Sequence, residues 1–115
     1  SLKSLAEKGI GGFAQNKLAT KYYEGDGVNK DFKKAYFWFR RAAKQGFDVS
    51  QFNLAIMYKD GDGVTKSYVM SYMWANLAAA QGHNKAKRLI RLLSKQMTKE
   101  QIAEAQKKAR NWEPD

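Results

Sequence analysis

The stretch AQNKLATKYYEGDGVNKDFKKAYFWFRRAAKQG, residues 14–46, returns without a gap as SQFNLAIMYKDGDGVTKSYVMSYMWANLAAAQG, residues 50–82. Gln15, Leu18, Ala19, Tyr22, Gly25 and Gly27 fall on Gln51, Leu54, Ala55, Tyr58, Gly61 and Gly63. Val28, Trp38, Ala42, Ala43, Gln45 and Gly46 fall on Val64, Trp74, Ala78, Ala79, Gln81 and Gly82. A fixed period of 36 residues lies in the range of stacked arrays, where each unit buries its apolar face against its neighbours.

Inside the unit, Leu18 and Tyr22, like Leu54 and Tyr58, stand four residues apart and share one helix face. This predicts a first helix, A, at roughly residues 13–24 and 49–60. Gly25 and Gly27, then Gly61 and Gly63, follow where the chain must leave the helix, because glycine enters left-handed backbone without steric cost. Val28 and Val64 are expected to plug the two turns. Asp31 and Ser67 can cap a second helix, B. On it Ala35, Trp38 and Ala42, and then Ser71, Trp74 and Ala78, follow the i, i+3, i+7 spacing of a buried face. The indoles should fill the gap between adjacent units, and truncating either to alanine should cost about 3–5 kcal/mol.

The string from Ala14 to Gly46 resembles the consensus of Sel1-like repeats, relatives of tetratricopeptide repeats. The second copy departs from it at Ser67, Met70 and Ser71 but keeps the Gly-x-Gly-Val turn, the Trp and the Ala-Ala pair. The resemblance implies an all-α fold, an α/α solenoid wound as a right-handed superhelix with a capping helix at its C-terminal end. It also implies a bacterial protein, with a periplasmic or secreted location placed ahead of a cytoplasmic one.

After Gly82, Ala86 and Ile90 fall where Ser50 and Leu54 would repeat, which predicts a third helix A over about residues 84–95. No Gly-x-Gly turn follows it. Thr98 and Gln101 instead form a capping-box pattern, opening a helix that runs through about Trp112 and ends at Pro114. Its stretch Met97 to Trp112 resembles the terminal helix of bacterial arrays, with Ile102, Ala105 and Ala109 inward and Lys107, Lys108 and Arg110 outward. Leu2 to Lys8 resembles the remnant of a preceding helix B. The expected division is therefore a remnant and linker at 1–12, repeat 1 at 13–48, repeat 2 at 49–84, and a truncated third helix A with its cap at 85–115.

At 115 residues, 43% hydrophobic and 28% charged, the chain is the size of one globular domain. It contains no run of 18 apolar residues, so no membrane span is expected. It begins at Ser1, which leaves any targeting signal out of view. Without cysteine there are no disulfides, thiol nucleophiles or thiolate metal sites, and the compartment stays open. A formal charge of +10 implies attraction to acidic partners, whether an acidic protein, nucleic acid or an anionic membrane face, and charge alone does not choose among them.

Motifs that could carry chemistry fail on inspection. Asp60-Gly61-Asp62-Gly63 hints at a calcium loop, but Val64 and Ser71 occupy its fifth and twelfth places. Gly63 to Ser67 superficially resembles a phosphate loop but carries Thr65 where glycine must precede the Lys-Ser pair. The Gly-x-Gly turns lack the third glycine and the preceding strand of a dinucleotide site. His83 is the only histidine and has no cluster around it, so it reads as a turn residue. Some Sel1-like relatives have been linked to β-lactam binding or hydrolysis on cysteine-rich scaffolds, a framework this chain lacks. No catalytic residues, cofactor, metal or small-molecule substrate are expected.

The resemblance to tetratricopeptide architecture implies that helix A lines a concave face. Aligning the Leu-Ala-x-x-Tyr core puts Phe13, Asn16, Thr20 and Tyr23 there in the first unit, Val49, Phe52, Ile56 and Lys59 in the second, and Lys85, Arg88, Leu92 and Lys95 in the third. These positions diverge between copies while the packing positions match. They run from neutral and aromatic to basic, which fits an acidic or amphipathic segment of another protein held by Asn16, Thr20, Tyr23, Phe52, Ile56, Lys59, Arg88 and Lys95. Phe52, Ile56 and Leu92 can equally pack on neighbouring A helices. The rival reading is nucleic-acid binding through Lys87, Arg91 and Lys95, an i, i+4, i+8 stripe that is more often a solvated face. A monomeric protein-interaction adaptor is the expected function.

Overall fold

The computed structural model describes residues 2–3 and 11–114. Helices α1 (Gly12–Glu24), α2 (Phe32–Lys44), α3 (Asp48–Asp60), α4 (Tyr68–Ala80), α5 (Asn84–Ser94) and α6 (Lys99–Arg110) follow in order, with no strand among the described residues. Each of α1 to α4 packs on the next, and α6 folds back onto α4. The result is an all-α repeat solenoid, 44 × 25 × 21 Å.

Local signals account for the helix ends. Asp31 and Ser67, extended in backbone, accept the amides of Lys34 and Met70 at 3.1 Å each. These bonds satisfy donors that the first turn of a helix leaves open. Thr98 and Gln101 complete a reciprocal capping box on α6. Gly25 and Gly61 close α1 and α3 in the left-handed region, at φ 71° and 73°, where a Cβ would be strained. The two turns are alike throughout: the amides of Asp26 and Asp62 reach back to the carbonyls of Lys21 and Met57, and those of Asp31 and Ser67 to Tyr22 and Tyr58.

The apolar stripes then interlock. Trp38, 8% exposed, joins Leu18, Ala19, Ala35 and Phe39 in a core that also takes Met57 from α3. Trp74, 4% exposed, sits with Leu54, Tyr58, Leu89, Leu93 and Ala105, in a core that takes Ala43 from α2. Both indoles therefore lie between units, and alanines at 0% exposure, such as Ala35 and Ala78, let the helices approach closely. Buried polar groups pair in the same repeating manner. Gln45 donates to Gln15 at 2.9 Å, and Gln81 donates to Gln51 at 3.0 Å. Gln51 in turn donates to the carbonyl of Ala43, which ties α3 to α2.

Two expectations need correction or completion. Val64 packs against both cores, whereas Val28 is 37% exposed and packs against neither core among the described residues. Of the segment Leu2 to Lys8, Leu2 and Lys3 are helical and Leu2 packs on the first core. The rest of it lies outside the described residues.

Candidate functional site

Side chains of α1 and α3 at the rim of the two cores come together. Thr20, Tyr23 and Glu24 from α1 and Asn53 and Ile56 from α3 line a cavity of about 180 Å³ that reaches Phe39 of α2. Three of the expected site residues, Thr20, Tyr23 and Ile56, are thus brought together.

Asn16, a fourth, is bound within the protein. Its Oδ1 accepts from Ser50 Oγ at 2.8 Å and from Asn53 Nδ2 at 3.2 Å, and its carbonyl accepts from Thr20 Oγ1 at 2.9 Å. Ser50 is fully buried, so Asn16 supplies the acceptor that a hydroxyl without water requires. Asn16 and Thr20 also line a second, shallower hollow of about 330 Å³ on α1 with Phe13, which is 66% exposed, and Lys17.

Tyr23 rests its ring on Phe32, with centroids 5.1 Å apart, and donates its hydroxyl to Asp62 at 3.0 Å. Burial, the hydrogen bond to Asp62 and the charges of Asp62 and Asp60 push its phenol up to about 12. Deeper between the units, the hydroxyls of Tyr36 and Tyr58 lie 2.8 Å apart. Burial and that contact hold the Tyr58 proton well above the ordinary phenol range.

The next junction is built differently. Where the first unit carries Asn16 and Thr20, the second carries Phe52 and Ile56. The Phe52 ring stacks on His83 with centroids 4.9 Å apart. His83 caps α5, its Nδ1 accepting from the Ala86 amide at 3.2 Å, so the turn histidine has a structural task. Lys59 is half-buried and pairs with Asp60 at 3.0 Å. Lys85, Arg88 and Lys95 project into solvent on α5, as do Lys87 and Arg91, and Leu92 is 49% exposed among them. Val49 is also exposed. Arg88 and Lys95 do not line the cavity.

Sequence reasoning missed Asn53, Glu24, Phe39 and Asp62. Asn53 stands one position past the equivalent of Asn16, so the strict 36-residue register passed over it. Asp62 was legible only as a turn residue, because no local pattern shows a carboxylate reaching a tyrosine 39 residues earlier.

The Sel1 repeat family model matches residues 12–47 and 48–83. Among solved structures, the chain is similar to a protective antigen present in uropathogenic Escherichia coli strains that displays an SLR fold, at 29% identity and a TM-score of 0.92. That alignment covers 96% of this chain and 24% of the antigen, so the chain spans about a quarter of the antigen's length. It is similar also to a Sel1 repeat protein from Oxalobacter formigenes, at 42% identity and a TM-score of 0.76, covering 78% of this chain and 67% of that one. No curated protein matches the sequence.

Proposed function

The chain belongs to the Sel1 repeat family, whose members generally serve as protein-interaction scaffolds, and from that premise we propose that it is a non-enzymatic adaptor holding a segment of another protein along its A helices. The observation that carries this reading is the cavity between α1 and α3. At the equivalent positions the first unit carries Asn16 and Thr20 and the second Phe52 and Ile56, while Leu18, Ala19, Trp38 and Ala42 recur as Leu54, Ala55, Trp74 and Ala78. Divergence at these A-helix positions is what a unit-specific contact requires.

The proposed contact runs from Asn16, Thr20, Tyr23 and Ile56 past Phe52 and Lys59 to Arg88 and Lys95. An amphipathic segment would place an apolar anchor by Ile56 and carboxylates over the exposed cations of α5, which also lack the buried partners that would fix them in place. Asn16 and Phe52 already have internal partners, so they shape the surface more than they offer free groups.

The test is affinity capture with the wild-type chain and with an Ile56→Ala, Arg88→Glu double variant, alongside the single Arg88→Glu variant, whose exposed position leaves the core intact. A protein held by the first and lost by the second supports the reading. Unchanged capture removes it, and so does tight oligonucleotide binding with a steep salt slope in place of any protein partner.

A further inference from the structure

We infer that the cavity between α1 and α3 receives one basic side chain, a lysine or arginine, from the partner; this rests on the adaptor reading above and specifies its first contact. The chain carries a formal charge of +10, yet a carboxylate, Glu24, lines this cavity and a second, Asp62, accepts the hydroxyl of its wall residue Tyr23. Asp26 is matched by Lys21 at 3.8 Å and Asp60 by Lys59 at 3.0 Å. Glu24, which lines the cavity, and Asp62, which holds the Tyr23 hydroxyl, have no ion pair among the described residues. A carboxylate in the wall and a second bonded to Tyr23, neither in an ion pair among the described residues, favour a cation over an anion beside Tyr23.

The lining has the chemistry of a long basic side chain. Ile56 and Phe39 offer apolar surface for a methylene stem, and Tyr23 offers an aromatic face for the charged head. A volume of about 180 Å³ falls below the range of about 300 Å³ and more typical of whole small-molecule sites, and suits a single side chain. The partner is therefore dipolar, with a basic anchor for α1 and α3 and acidic residues for α5. A uniformly acidic segment would meet Glu24 and Asp62 with like charge.

The inference can be read on the full chain by amide NMR with capped Gly-Arg-Gly as the probe, alongside the same tripeptide carrying norleucine or glutamate. The arginine peptide is expected to shift Thr20, Tyr23, Asn53 and Ile56 saturably, the norleucine peptide to bind more weakly, and the glutamate peptide to leave these signals in place. Glu24→Gln and Asp62→Asn should each weaken the arginine peptide roughly two- to five-fold, the range of exposed ion pairs. Glu24 is exposed and bonds to nothing described, so its variant folds as the parent does. Equal response to the norleucine or glutamate peptide, absence of saturation at the cavity, or indifference to both substitutions overturns the inference. A capped hexaglutamate peptide read at Arg88 and Lys95 tests the adaptor contact separately, so that either reading can fail without the other.

Discussion

The hydroxyl of Tyr23 on α1 donates to the carboxylate of Asp62, in the turn that follows α3, at 3.0 Å. One bond thereby joins the first helix of one unit to the glycine turn of the next, beside the cavity that both units line. Because the bond requires the phenol proton, it ties the geometry of this junction to the protonation of Tyr23.

That dependence sets a pH window. The folded state holds the Tyr23 proton above its ordinary value of 10.0, to about 12, through burial first and Asp62 second. The associated stability is complete below pH 10, declines as the pH rises above it and is lost once the pH passes about 12. Titration of carbon-labelled tyrosine should show Tyr23 ionising late. Asp62→Ala should move it back towards the ordinary value without restoring it, since burial remains.

Asn16→Ala should destabilise the fold, because it strips the acceptor from the fully buried Ser50 hydroxyl. The expected loss is about 1–3 kcal/mol in urea denaturation. Asn16→Ala, Ser50→Ala together should cost less than the two changes added, and simple additivity would show that the two groups are not coupled.

Trp74→Ala should cost about 3–5 kcal/mol. The Trp74 indole Nε1 is buried with no hydrogen-bond partner, and its ring meets Trp112 edge-on at 6.0 Å. Trp74→Phe removes that unsatisfied donor along with some volume, so its loss should be clearly smaller than that of the alanine variant. Equal losses would show that a phenyl ring recovers none of the packing there.

Gly27→Ala and Gly63→Ala should separate, although both glycines have positive φ, at 74° and 68°. Each substitution carries the left-handed cost of about 1–2 kcal/mol. At Gly27 a Cβ meets open space, while at Gly63 it falls 2.7 Å from the Phe32 carbonyl. Thermal melting should rank Gly63→Ala well below Gly27→Ala, and equal melting points would refute the close approach.

The capping side chains are simpler. Asp31→Ala and Ser67→Ala should each cost about 1 kcal/mol, since each frees a first-turn amide. Hydrogen exchange at Lys34 and Met70 reads the effect directly.

Most of the fold was written in local pattern. The glycine turns, the caps at Asp31, Ser67 and Thr98, and the buried faces of Trp38 and Trp74 depend on spacings within one helix or one turn, which sequence displays. Trp112 could have been read too, because it extends the stripe of Ile102, Ala105 and Ala109 by three residues. The site was only partly legible. Thr20, Tyr23 and Ile56 followed from register, but Asn53, Phe39 and Asp62 reach it from other elements, by distances that no periodicity encodes. Val28 misled because its matched partner Val64 packs against the cores of both units, whereas Val28 joins neither.

Met57 belongs in sequence to the second unit and in space to the core of the first, while Ala43 makes the opposite exchange. A boundary cut between residues 47 and 48 would therefore release two incomplete halves, each missing a piece of its own interior. Neither half should hold its shape after such a cut, and a pull on either end should be felt at the other before any helix comes loose.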